Sequence, residues 1–237
     1  MTVDRAVIWD YDGTLVDTGE KNLRVTRRLI PDVSGRPLEE FPALATPASY
    51  RQANRRSSNW RELFGKEFGL NSKQVAEAGR LWTQYQLADQ TPSPFFEGIP
   101  QALRSLKGSP QAIFSQNSRA AIQLSLASAG LDDCINLVVG YEEVASEHQK
   151  PAPEGLLYCL KQLGIRHGRV FFAGDHDTDM ECARRANAAL KQQHTPLTVV
   201  AVGVAFDPES RAPWAVKPDH VARRPVDIVQ LVLDSRA

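Results

Sequence analysis

Sulfur is scarce in this chain, and an excess of either charge is absent. Its 237 residues include only three cysteines, Cys134, Cys159 and Cys182, with no Cys-x-x-Cys pair. That spacing argues against a redox or zinc role, and Cys159, inside an apolar helical pattern, reads as a reduced core thiol. The 28 basic and 28 acidic residues cancel to a formal net charge of +0. Composition therefore gives no support to nucleic-acid or membrane-surface binding. No apolar run approaches the ~20 residues needed to span a bilayer. The first ten residues, MTVDRAVIWD, carry an acid at position 4 and lack the layout of a signal peptide. Internal repeats and low-complexity tracts are also missing. These absences lead us to expect a cytoplasmic protein.

What is present is a rhythm. Short apolar runs, AVIW at 6–9, QAIF at 111–114, NLVV at 136–139, RVFFA at 169–173 and LTVVAVGVAF at 197–206, alternate with helical patterns. This alternation predicts an α/β fold, a parallel sheet covered by helices. One helix follows Ser118, a candidate N-cap, and stops at Gly130; another begins at Pro153 and ends at Gly164. Between 17 and 94 no convincing strand occurs. KNLRVTRRLI leads there into a Pro-rich connection from Pro31 to Tyr50, and helical stretches then run through Leu87. We therefore expect a core over 1–16 and 95–237, interrupted by a helical insertion over 17–94.

In an open parallel sheet, ligands bind beyond the carboxyl ends of the strands. Just past the apolar runs stand Asp10 and Asp12, then Ser115 with Gln116 and Asn117, then Asp175, Asp177 and Asp179; Lys150 precedes the Leu-rich helix. Four places thus deliver acids, a hydroxyl and an ammonium to one edge. The set suits phosphoryl transfer through a covalent aspartyl phosphate, because a carboxylate nucleophile splits a difficult hydrolysis into two steps. A magnesium ion, which prefers oxygen ligands, offsets the crowded carboxylates. Lys150 adds positive charge, Ser115 a hydrogen bond to a phosphoryl oxygen, and an acid two residues beyond the nucleophile manages the proton.

Four of these segments carry a family resemblance. DYDGT after a hydrophobic strand, AIFSQNS, KPAPEG and GDHDTDM resemble, in order, the four motifs of the haloacid dehalogenase-like phosphatases. PFFEGIPQALRSLKG is similar to the segment that re-enters the core after a helical cap, and the layout resembles the phosphoglycolate phosphatase-like branch. The resemblance implies a Rossmann-like three-layer core with an inserted α-helical cap. It implies Asp10 as nucleophile and Asp12 as general acid/base. Magnesium would be held by the Asp10 side chain, the Asp12 backbone carbonyl and Asp175, with Asp179 as an additional acid. Ser115 and Lys150 would bind the phosphoryl group, with Gly13, Thr14, Gln116 and Asn117 beside them. The carboxylate at position 12 separates this sequence from the haloacid dehalogenase and phosphonatase branches. SQN replaces the commoner Thr-Asn, and RRANAA lacks the glycine usual after the fourth motif.

The implied function is a magnesium-dependent phosphatase acting on a small phosphorylated metabolite. Two alternatives stand beside it: a phosphomutase of the β-phosphoglucomutase type, and a non-catalytic member that binds a phosphorylated ligand. Arg51 and Arg55 in the insertion are candidates for clamping a carboxylate or second phosphate of the substrate, against the plainer reading of a solvated basic face. His176 and Asp177 read as solvated residues, His148, His167, His194 and His220 as surface positions, and Trp60, Trp82 and Tyr85 as packing of the insertion. Oligomeric state has no signal in the sequence.

Overall fold

Ala6, Val7, Ile8 and Trp9 are fully withdrawn from solvent, and the strand they form, β1 (Arg5–Trp9), runs through the middle of a six-stranded parallel sheet. The computed structural model describes residues 5–57, 59–206 and 214–234. Residues 1–4 and 235–237, assigned from the sequence to the ends of the core, lie outside the described residues. The described residues of Met1–Val16 and Phe95–Ala237 form one compact unit, and those of Asp17–Pro94 a second.

In the first unit β2 (Gln111–Phe114), β3 (Leu137–Val139), β4 (Gly168–Gly174), β5 (Leu197–Val204) and β6 (His220–Ala222) join β1 in the order β3-β2-β1-β4-β5-β6. Strand order reverses between β1 and β4, the place where such sheets open a crevice for ligands. Alternate residues of β1 serve opposite faces, as the period of two requires. Val7 and Trp9 join the core of α5 (Ile99–Ser105), α6 (Arg119–Ser128) and α9 (Pro225–Asp234). Ala6 and Ile8 join that of α7 (Glu154–Gln162) and α8 (Asp177–Gln192). The result is the three-layer Rossmann-like architecture.

Several expectations change in detail. β5 ends at Val204, two residues short of the apolar run. β6 is only three residues long, with His220 and Val221 exposed, too short and too wet to read as a strand. Helix α9, Pro225–Asp234, is amphipathic, and Arg5 donates to its terminal carbonyls, Val232 O at 3.0 Å and Leu233 O at 2.9 Å. Ser118 does stand at the N-cap of α6, but its buried hydroxyl makes no cap bond. The free N–H groups are taken by other partners: Ser118 N donates to Asn117 Oδ1 and Arg119 N to Glu142 Oε2.

The second unit is helical, with α1 (Gly19–Ser34), α2 (Pro47–Arg55), the single turn α3 (Trp60–Glu62) continuing as a π-turn over Leu63–Glu67, and α4 (Ser72–Ala88). Contrary to the connection expected from Pro31, α1 runs through that residue to Ser34 and stops at Gly35, whose φ is +70°. Proline removes one backbone donor, and burial of Leu29 and Ile30 on the apolar face outweighs that loss. Reciprocal side-chain bonds cap α2 (Thr46 with Ser49) and α4 (Asn71 with Gln74). Trp60 and Trp82 pack around Phe64 and Tyr85 joins the same cluster, the role the sequence suggests for all three aromatics. No helix among the described residues is long and apolar enough to cross a membrane.

Candidate active site

The first strand delivers its acids through a tight turn. Asp10 N continues the β1–β4 pairing by donating to Ala173 O at 2.8 Å, and the Tyr11 carbonyl accepts from Leu15 N at 2.9 Å. Gly13 turns the chain with a φ of +76°, a conformation that L side chains avoid, and a Cβ there would stand 2.3 Å from Asp175 Oδ2. Thr14 is buried, and its hydroxyl has no hydrogen-bond partner among the described residues.

At the end of β2, Ser115 N donates to Val139 O, and Ser115 Oγ accepts from Asn117 N at 3.0 Å. Accepting leaves the hydroxyl proton of Ser115 available to donate elsewhere. Gln116 Nε2 donates to Lys150 O at 2.9 Å, and Asn117 Nδ2 donates to both oxygens of Asp12. Lys150 follows a run of short turns after β3 and is 4% exposed. Its Nζ bridges Asp10 Oδ1 at 2.5 Å and Asp179 Oδ1 at 2.7 Å. The rings of Phe114 and Phe172 lie 5.3 and 5.5 Å from the same ammonium. Sequence reasoning misses these two rings; their signal is that each ends or nearly ends a strand that leads to a polar site residue, Ser115 or Asp175.

Past β4, Gly174 lets α8 come close: a Cβ on it would meet Asp179 Cγ at 2.4 Å. Asp179 Oδ2 accepts from His176 N, so both of its oxygens are engaged. His176 and Asp177 do more than the sequence suggests. His176 accepts from Thr178 N as the cap of α8, and Asp177 Oδ1 accepts from Val216 N at 2.9 Å, tying a distant segment to the helix. His148, His194 and His220 are exposed and His167 half-buried. Arg51 and Arg55 sit one turn apart, exposed on α2 of the helical unit.

Asp10, Asp175 and Asp179 bring carboxylate oxygens within 4.8 Å of one another. One ammonium cannot balance them, and the electrostatics record the strain. Burial pushes Asp10 up to about 7, with Lys150 pulling down and Asp179 and Asp12 adding to the rise. Burial, Asp10 and Asp179 raise Asp175 well above the carboxylate range. Burial acts to lower Lys150, but Asp10 and Asp179 hold it above its ordinary value, so it stays charged. The cluster is all oxygen: the three cysteines are buried and free, and none belongs to it. Such a donor set fits a hard divalent cation of the magnesium kind and not a thiophilic metal.

A core of parallel strands with acids, a lysine and a serine at one edge defines the class of this protein. Residues 7–190 match the family model of the haloacid dehalogenase-like hydrolases. The chain belongs to this family and is a hydrolase of the phosphatase kind. It is 28% identical over 235 residues to a phosphoglycolate phosphatase of Synechococcus elongatus, covering 96% of this chain and 97% of that one. It is 24% identical to an N-acetylmuramic acid 6-phosphate phosphatase of Pseudomonas aeruginosa, over 96% of this chain and 94% of the relative. The fold is that of a subfamily IA hydrolase of the haloacid dehalogenase superfamily from Geobacter sulfurreducens, with a TM-score of 0.61 at 23% identity, covering 96% of each chain.

Proposed function

We propose that this hydrolase is a magnesium-dependent phosphatase that cleaves a small organic phosphomonoester through an aspartyl phosphate on Asp10. The observation that carries the reading is the buried Lys150 ammonium shared between Asp10 and Asp179, with Asp12 two residues along the chain. A structural ion pair has no need of four carboxylates at one sheet edge. Asp10, the Asp12 backbone carbonyl, Asp175 and Asp179 are the groups that would hold magnesium, which when bound offsets negative charge on the phosphoryl oxygens and the nucleophile.

In the first step a carboxylate oxygen of Asp10 bonds to phosphorus as the ester P–O bond breaks. The electron pair leaves with the ester oxygen, which takes a proton from Asp12. In the second step water attacks phosphorus and gives its proton to Asp12, and the Asp10 carboxylate departs, releasing inorganic phosphate. Ser115 donates to a phosphoryl oxygen and Lys150 holds charge beside it. Gly13, Thr14 and Gln116 shape the loops around the phosphoryl group.

Two relatives are named for substrates that pair a phosphate with a carboxylic acid. This supports a substrate of the same kind, with Arg51 and Arg55 as candidates for its carboxylate. The test is phosphate release from a panel of small phosphomonoesters, phosphoglycolate included, with magnesium or with chelator. Magnesium-dependent release is expected. Isomerisation of a hexose phosphate without release would point to a mutase, and silence across the panel to a binding role.

A further inference from the structure

The Asp12 carboxylate is gripped from across the sheet edge. Asn117, 105 positions away in sequence, places Nδ2 at 3.0 Å from each of its oxygens. Asn117 is 4% exposed, and its remaining polar groups are all engaged. Its Oδ1 accepts from Ser118 N at 2.7 Å, its backbone N donates to Ser115 Oγ at 3.0 Å, and its carbonyl accepts from Tyr141 N at 3.1 Å. A backbone N–H can only donate, so the atom facing Ser118 is the oxygen, and the NH₂ must face Asp12. The turn is braced from β3 as well: a Cβ on Gly140 would stand 2.8 Å from Asn117 O and 2.6 Å from Arg119 N.

We propose that Asn117 is a positioning residue that aims the Asp12 carboxyl, and that it works through Asp12 instead of touching substrate. The inference rests on Asp12 being the group that gives and takes the proton. That group serves twice, as donor to the ester oxygen and as acceptor from water, and both transfers need its oxygens at a set angle. A donor spanning both oxygens, itself locked by Ser118 and Tyr141, resists rotation of the carboxylate. Its N–H to Ser115 also ties the phosphoryl-binding hydroxyl to the same strut.

The test uses the full chain with magnesium, on phenyl phosphate and on p-nitrophenyl phosphate. General acid–base catalysis contributes about 10²–10⁴-fold, so mis-aiming Asp12 in Asn117→Ala is expected to lower kcat on phenyl phosphate by about tenfold to a hundredfold, with KM nearly unchanged. p-Nitrophenolate leaves with little help from an acid, so on that ester the loss falls on the water step. A burst of p-nitrophenolate larger than the wild type's is then expected, as aspartyl phosphate accumulates. Asn117→Asp keeps the shape and sets carboxylate against carboxylate; its loss should be at least as large, with the melting curve showing a folded protein. Adding Asn117→Ala to Asp12→Asn should cost nothing more, because the two act as a unit. A raised KM with kcat intact, or a further loss in the double variant, would overturn the proposal. Wild-type turnover in Asp12→Asn alone would instead remove the reading of Asp12 on which it rests.

Discussion

The backbone of Gly13 lies so close to Asp175 that a methyl group on it would stand 2.3 Å from Oδ2. The first acidic loop and the fourth strand's acid thus occupy one another's space, and only a residue without a side chain permits it. Gly13→Ala also forces a φ of +76° on an L residue, a cost of about 1–2 kcal/mol. We expect a lower melting temperature, and a displaced Asp175 that raises the magnesium concentration needed for half-maximal activity. A thermal melt and a magnesium titration of turnover check both.

Asp10→Asn should abolish phosphate release and leave the protein folded. The variant removes the proposed nucleophile, yet Lys150 keeps Asp179 at 2.7 Å as a charged partner. Circular dichroism together with a phosphate assay decides it. Substantial activity in the variant would mean another group attacks phosphorus.

The crowded carboxylates also predict how stability depends on pH without metal. Asp10 is pushed up to about 7, chiefly by burial, against about 3.9 in an unfolded chain. Between those values the folded protein holds a proton that the unfolded chain has released, so stability falls as pH rises from roughly 4 to 7. Asp175, raised for the same reasons, acts with the same sign. The chelated protein should melt lower at pH 8 than at pH 5, and magnesium should raise the midpoint more at pH 8. Equal midpoints at both pH values in chelator would contradict this.

Gly155→Ala should destabilise, reversing the usual gain of about 1 kcal/mol from placing alanine in a helix. Its Cβ would meet the buried Phe114 ring at 2.3 Å, and that ring is wedged against Phe172 and the Lys150 ammonium. Overpacking of this kind costs about 1–3 kcal/mol. Chemical denaturation gives the sign directly.

The three thiols should resist alkylation in the native state. Burial pushes Cys159 up to about 12 and raises Cys182 further, while burial and Asp133 raise Cys134. A thiol must ionise to react, so iodoacetamide at pH 8 should label all three only after denaturation. Rapid labelling of the folded protein would show a more open core.

That Asp10, Asp12, Ser115, Lys150, Asp175 and Asp179 gather at one sheet edge is legible in the sequence, because each stands close past an apolar run or before a helix, where polar groups are costly without a partner. Periodicity likewise revealed the helical insertion and five of the six strands. It missed β6, whose three residues carry no apolar run, and it stopped α1 at Pro31, where buried Leu29 and Ile30 hold the helix through the lost donor. What only the tertiary structure decided is partnership. Lys150 bridging Asp10 and Asp179, Asn117 gripping Asp12, and Asp177 holding Val216 span 29 to 140 positions. Side-chain type and local spacing say which groups reach the sheet edge. Which of them meet depends on the order β3-β2-β1-β4-β5-β6, and that order is set by the packing of distant segments, about which a local pattern carries no information.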